Sequence, residues 1–220
     1  MVPAYPVYLF DIDGTLLDSA RDICAAQMEV LSSAGCPPVT FEFLRDYIGL
    51  ELRAVFSALL PGCSDTRMDE LSQQYSALYR GRKHVETRVY PGVAEALAKL
   101  QGRKSTATTK STGGTKMVLE HFGLLPYFDH IQGSDGIPCK PAPDVVLAAM
   151  KALGANPNEC LLVGDSPADM EAGRRVGVKI CAVTYGYGAT AELEKWQPDH
   201  WISDLRQLLA DKQAHPGHLV

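Results

Sequence analysis

The chain has 220 residues, of which 46% are apolar, enough to bury the core of one large domain or of a domain carrying an insert. Lys and Arg number 21 against 26 Asp and Glu, a formal net charge of -5, which offers no footprint for nucleic acid or an anionic membrane and leaves an anionic ligand to be held by local charge. No C-x-x-C pair occurs among Cys24, Cys36, Cys63, Cys139, Cys160 and Cys181, no basic N-terminal segment precedes a long apolar one, and no apolar run approaches the roughly 18 residues of a membrane span, so a cytoplasmic protein with reduced thiols is expected.

The first predicted element is Val7-Tyr8-Leu9-Phe10, a short apolar run of aromatic and β-branched types that reads as a strand buried on both faces. Two carboxylates stand at its end. If the backbone stays extended through Ile12, Asp11 and Asp13 project to the same side, and Gly14 then lets the chain turn. Like charges held so close are costly unless a cation lies between them or one carboxyl keeps its proton. A calcium loop of the EF-hand type is excluded by position, since its glycine is the sixth residue and follows a helix, whereas Gly14 is the fourth and follows a strand.

Asp18 is well placed to cap a helix over Ala20 to Ala34, which carries Ile23, Ala26, Val30 and Leu31 at near-helical spacing and stops at Gly35-Cys36-Pro37-Pro38. Further helices are predicted over Thr40 to Tyr47, Leu50 to Leu60 and Thr66 to Arg82. No strand is expected between 18 and 89, so 18-89 reads as an all-helical insert in an α/β core made of 1-17 and 90-220. In that core, helices are predicted over Pro91 to Leu100, Gly114 to Phe122, Pro143 to Leu153, Pro167 to Val176 and Leu205 to Ala210. They alternate with strands at Lys104 to Thr108, Phe128 to Gln132, Cys160 to Val163, Val178 to Val183 and His200 to Ile202. The expected fold is therefore α/β, a doubly wound parallel sheet with an inserted helical domain.

Ligands of such sheets bind beyond the carboxyl ends of the strands. Asp11 and Asp13 end the first strand and Thr108-Thr109-Lys110 the second; Gly133-Ser134-Asp135 and Lys140-Pro141-Ala142-Pro143 follow the third, and Gly164-Asp165-Ser166-Pro167-Ala168-Asp169 the fourth. Capping of a helix N-terminus is the competing reading for Asp165 and Asp169, and an ordinary loop the simpler one for Gly113-Gly114.

These four stations, beginning with DIDGTLLDS, resemble the four motifs of the haloacid dehalogenase superfamily. YPGVAEAL, EHFGLLPYFD, KPAPDVVLAAMKALG and VGDSPADMEAGRRVGV are similar to its phosphoglycolate-phosphatase branch, and the helical insert is similar to the mobile cap of that branch. The resemblance implies a Mg²⁺-dependent phosphatase acting on a small phosphate ester. Asp11 would be the nucleophile that forms an aspartyl-phosphate, and Asp13 the general acid. Asp11 and Asp165 would hold Mg²⁺ through side chains and Asp13 through its backbone carbonyl, with Asp169 close by; Lys140 and the Thr108 hydroxyl would orient the phosphoryl group. Thr-Asn-Lys is common where Thr108-Thr109-Lys110 stands here, so the hydroxyl is assigned to Thr108 with Thr109 as its alternative.

For substrate contacts the candidates are Thr109, Gly14 and Arg53, the last being the one cation on Ile48-Gly49-Leu50-Glu51-Leu52-Arg53, which resembles a specificity loop. The helix-surface reading of Arg53 stands beside that one. The resemblance puts 2-phosphoglycolate first among small phosphorylated acids and sugars. A sugar phosphomutase and a catalytically silent phospho-ligand module are the alternatives; the mutases carry a cap histidine five residues beyond the position of Asp18, where this chain has Ile23. A monomer without nucleic-acid or membrane partners is the default expectation.

Overall fold

The structure, a computed structural model, describes residues 2–209. Strand β1 (Val7–Phe10) is buried throughout, and its alternating side chains divide between two cores. Tyr8 and Phe10 join one cluster, Val7 and Leu9 the other. The same two-residue alternation sorts β5 (Cys160–Gly164), where Leu161 and Val163 face the first core and Cys160 and Leu162 the second. It sorts β6 (Lys179–Val183) as well, with Cys181 and Val183 opposed to Ile180 and Ala182. A strand with apolar residues at every position needs cover on both faces, and helices supply it. On the Tyr8 side lie Val93, Ala96 and Leu97 of α5 (Val93–Lys99) and Val118 and Leu119 of α6 (Thr112–His121). On the Leu9 side lie α7 (Asp144–Leu153), α8 (Pro167–Val176) and Leu193 of α9 (Thr190–Glu194).

The sheet is parallel, in the order β4-β1-β5-β6-β7, with β4 at Arg103–Thr106 and β7 at His200–Ile202. Val7 pairs with Arg103 on one side and Cys160 on the other, so β1 is flanked by both neighbours and the chain order reverses around it. That reversal opens the crevice in which this class of sheet binds its ligands.

Between β2 (Leu17–Asp18) and β3 (Arg88–Val89) lie α1 (Ala20–Ser33), α2 (Phe41–Arg45), α3 (Leu52–Leu59) and α4 (Asp65–Gly81). They bury their own cluster, including Val30, Leu31, Leu44, Phe56 and Leu71. Buried Asp22 ties the two ends of this segment together. It accepts hydrogen bonds from Arg82 Nε at 2.9 Å, Thr87 N at 2.9 Å, Thr87 Oγ1 at 2.7 Å and Glu86 N at 3.0 Å. Burial alone would raise its pKa, but the bonds from Thr87, Arg82 and Glu86 outweigh it and hold the carboxyl below its usual value.

Five expectations need correction. The insert is not free of strand, because Leu17 pairs with Val89 and Asp18 with Arg88 in an antiparallel ribbon at its base. Phe128 to Gln132 forms one bridge, Ser105 to His130, in place of a strand. Side chains interrupt its ladder: Lys104 N donates to the Asp129 carboxylate at 2.7 Å and Gln132 N to Thr106 Oγ1 at 2.8 Å. Asp18 does not cap α1, whose N-cap is Ser19. Gly113 and Gly114 lie inside α6, with Ser111 Oγ accepting from Gly114 N at 3.1 Å, so they form no loop. The last predicted helix is a 3₁₀ turn at Leu205–Leu208, and Ala210 lies outside the described residues. Among the described residues no helix is long and apolar enough to cross a membrane, and all six cysteines are unpaired.

Candidate active site

Asp11 continues the ladder one step past β1, its N–H donating to Val163 O at 3.0 Å. The chain then closes on itself, with Leu16 N and Leu17 N both donating to Ile12 O at 2.9 Å. Gly14 sits at φ 92° in that loop, and a Cβ there would lie 2.2 Å from Asp165 Oδ2, so only glycine admits the Asp165 carboxylate. Gly186 does the same from the opposite wall, where a Cβ would come within 2.2 Å of the Asp165 Cβ. Its neighbour Tyr187 donates its backbone N–H to Asp165 Oδ2 at 2.8 Å, and Thr15 Oγ1 donates to Asp165 Oδ1 at 2.9 Å.

One oxygen each of Asp11, Asp165 and Asp169 lies within 4.8 Å of the other two, and all three residues are buried. Lys140, also buried, donates to Asp11 Oδ1 at 2.7 Å and to Asp169 Oδ1. Asp169 serves two neighbours at once, because its second oxygen accepts from Ser166 N at 3.1 Å and Ser166 Oγ at 2.6 Å in a capping box at the start of α8. Asp169 thus caps α8 with one oxygen and turns the other to Lys140. Burial, reinforced by Asp169 and Asp13 and opposed by Lys140, pushes the Asp11 carboxyl up to about 6. Burial and the charges of Asp11 and Asp169 push Asp165 up to about 8. Burial would lower the Lys140 pKa, but Asp11 and Asp169 more than reverse that, and it stays an ammonium. Three clustered carboxylates, two of them on the Lys140 ammonium, form an oxygen-only, electron-rich donor set, which suits a hard divalent cation.

Asp13 is held apart from this cluster. Ser19 Oγ donates to its Oδ1 at 2.5 Å, and Lys110 Nζ lies 3.1 Å from its Oδ2. Lys110 also reaches the insert, sitting 4.5 Å from the ring centroid of Tyr79 on α4. Neither Ser19 nor Lys110 was among the site residues expected from the sequence. Both stand inside the strings that marked the first two stations, Ser19 closing DIDGTLLDS and Lys110 closing Thr108-Thr109-Lys110, and that membership is the signal the sequence offered for them. Thr108 is buried one residue beyond the ladder bond from Ala107 N to Phe10 O at 2.8 Å, and its hydroxyl accepts from Lys110 N at 3.3 Å.

A cavity of about 220 Å³ opens between the insert and the core, bounded by Asp13, Thr109 and Lys110 below and by Gln27, Tyr75 and Tyr79 above. Thr109 therefore faces the cavity, while its carbonyl accepts from Ser134 Oγ at 2.7 Å. Arg53 does not line it. Its guanidinium is engaged on the insert surface by Asp65 at 3.1 Å and by Asp69, which joins α3 to the start of α4, so the helix-surface reading fits its placement and the substrate-contact one does not.

Residues 8–183 match the family described as haloacid dehalogenase-like hydrolase, and the chain belongs to that family. It is 36% identical over 217 residues to Phosphoglycolate phosphatase 1 of Pseudomonas aeruginosa, covering 94% of this chain and 80% of that one. It is 31% identical over 222 residues to the N-acetylmuramic acid 6-phosphate phosphatase of the same organism, covering 96% of this chain and 92% of the relative. Among solved structures, a haloacid dehalogenase-like hydrolase of Bacteroides fragilis superposes with a TM-score of 0.87 at 32% identity, covering 93% of this chain and 99% of that one.

Proposed function

We propose that the chain is a Mg²⁺-dependent phosphatase that hydrolyses a small phosphorylated metabolite through an aspartyl-phosphate on Asp11. The observation that carries this is the buried cluster of Asp11, Asp165 and Asp169 around Lys140 at the carboxyl ends of β1 and β5. Asp11, Asp165 and Asp169, with the Asp13 carbonyl, would hold the cation, which when bound supplies charge neutralisation between an anionic nucleophile and an anionic phosphoryl group. Asp11 attacks phosphorus as the ester P–O bond breaks, and Asp13 gives its proton to the departing alkoxide. Asp13 then takes a proton from the water that cleaves the acyl phosphate and restores Asp11. Ser19 and Lys110 hold both oxygens of Asp13 and so fix its carboxyl beside the cavity. Lys140 fixes Asp11 against Asp169, and Thr108, Thr109 and Gly14 border the phosphoryl position.

In this reading residues 18–89 are a cap that closes over a core of 1–17 and 90–220, and the chain works as a cytoplasmic monomer. Its phosphoglycolate-phosphatase relatives make 2-phosphoglycolate the first substrate to try. The test is phosphate release from 4-nitrophenyl phosphate and then from a panel of metabolite phosphates, with Mg²⁺ and with a chelator. Metal-dependent turnover is expected; inactivity across the whole panel overturns the reading.

A further inference from the structure

The reaction uses Asp11, Asp13, Lys140 and the aspartates around them, and it leaves Gln27 without a role. Gln27 lies on α1, is 4% exposed and borders the same cavity as Asp13 and Lys110. Its carboxamide oxygen is buried with no hydrogen-bond partner among the described residues. Leaving such an acceptor unpaired is unfavourable, and most buried amides in folded proteins avoid it. Nearby on the wall are Ile23, Ile48 and Val55, against which a leucine of similar size would pack at no polar cost. The amide is therefore placed for something that enters the cavity. Asp13 stands at one end, where the leaving-group oxygen receives its proton, so the remainder of the leaving group extends into the space that Gln27 overlooks. At about 220 Å³ that space is several times the ~30 Å³ share of one water and admits a leaving group of several heavy atoms.

We propose that Gln27 is a specificity-determining residue that reads a free hydroxyl on the leaving group, so that the favoured substrate is a phosphate ester of a polyhydroxylated compound. A hydroxyl satisfies either end of a carboxamide, donating to Oε1 or accepting from Nε2. The leaving group of 2-phosphoglycolate offers only a carboxylate, which can accept from Nε2 but cannot donate to Oε1 and so leaves the buried acceptor unpaired. The proposal rests on the phosphatase reading for its chemistry and on Gln27 alone for selection.

Wild-type and Gln27→Leu proteins are to be compared on glucose 6-phosphate, glycerol 3-phosphate, 2-phosphoglycolate and 4-nitrophenyl phosphate. The wild type should favour a hydroxylated ester over 2-phosphoglycolate by kcat/KM. Gln27→Leu should shrink that preference by roughly 10- to 100-fold, the range for one lost hydrogen bond in a buried site. A wild-type preference for 2-phosphoglycolate, or equal losses on all four esters, overturns the inference while leaving the phosphatase reading intact. If the wild type turns over none of the four, the phosphatase reading is decided by the full panel and the Gln27 inference by binding. The thermal shift given by glucose 6-phosphate or glycerol 3-phosphate should then fall in Gln27→Leu, and an unchanged shift overturns it. Gln27→Met repeats each comparison should the leucine variant not fold.

Discussion

Asp11 and Asp165 are buried carboxylates in a cluster that only one ammonium, Lys140, contacts directly among the described residues. Asp11→Asn keeps the size and shape of the side chain and removes one of three crowded negative charges. Turnover should fall by roughly 10⁴-fold or more, the scale for loss of a nucleophile. The melting temperature of the metal-free protein should hold or rise, since Lys140 retains Asp169 as its partner. Initial rates and thermal melts of the pair check both halves. A pH dependence follows from the same burial. The folded-state values, about 6 for Asp11 and about 8 for Asp165, lie above the ~3.9 of an unfolded aspartate. At these two carboxyls the folded state thus holds more protons than the unfolded one between about pH 4 and pH 8, and their contribution to the stability of the metal-free protein falls as pH rises across that window. A divalent cation needs the deprotonated carboxylates and competes with those protons. The rise in melting temperature on adding Mg²⁺ should therefore be larger at pH 8 than at pH 5, and an equal rise at both would contradict the assignment of these residues as ligands. Asp11 and Asp165 were legible in the sequence because each stands at a strand end, where a fixed topology gathers them. Lys140 lies in the loop beyond 128–132, which forms no strand, and was marked by its Lys140-Pro141-Ala142-Pro143 string. Ser19 and Lys110 were not, because the partner of each, Asp13, is reached through the turn of the 11–19 loop and not through strand register.

Helix α1 begins without help from its own N-cap side chain: Ser19 sits at ψ 0° and its hydroxyl is turned to Asp13. The phenol of Tyr187, from the loop after β6, takes over. Its oxygen accepts from Ser19 N at 2.7 Å and Ala20 N at 3.0 Å and donates to Asp18 Oδ1 at 3.0 Å. The backbone N–H of the same residue donates to Asp165. One residue thus links the first turn of the insert to the carboxylate cluster. Tyr187→Phe keeps the ring and deletes this cap, so it should cost about 1–2 kcal/mol, the range for a lost helix cap, read from urea unfolding at constant m-value. A cost near zero would mean that the ring alone seats the helix. No pattern in the sequence announces a cap supplied from 168 residues away, and helix-start rules pointed to Asp18 for lack of it. The two-residue strands β2 and β3 were hidden for a related reason, since two residues carry no periodicity. The segment 128–132 failed in the other direction. Its apolar residues fit a strand, but Asp129 and Thr106 satisfy backbone groups that a regular ladder would have used.

At the scale of the whole molecule the alternation of helix and strand was strong enough to give the parallel sheet and its helical insert, while the order of strands and the contact between insert and core depend on packing that no local pattern encodes. That contact decides the fate of the aspartyl-phosphate. A phosphomutase must keep water from its acyl phosphate until a sugar hydroxyl returns, and it needs a polar group on the cap to couple closure to the acid. Here α1 presents Ile23 at the position where the resembling mutases carry histidine, and Ile23 is buried along the cavity with no polar atom to offer Asp13. The partners Asp13 does have, Ser19 and Lys110, come from the base of the insert and from the core. The cavity also reaches the exposed residues Leu50, Glu51 and Arg80, so water has a route to the intermediate. Water should therefore win. Incubation with a hexose 1-phosphate and a catalytic amount of the hexose bisphosphate should release inorganic phosphate without building up the 6-phosphate isomer. Accumulation of that isomer over many turnovers would place the chain among the mutases and show that closure of the insert excludes water by means other than a residue at position 23.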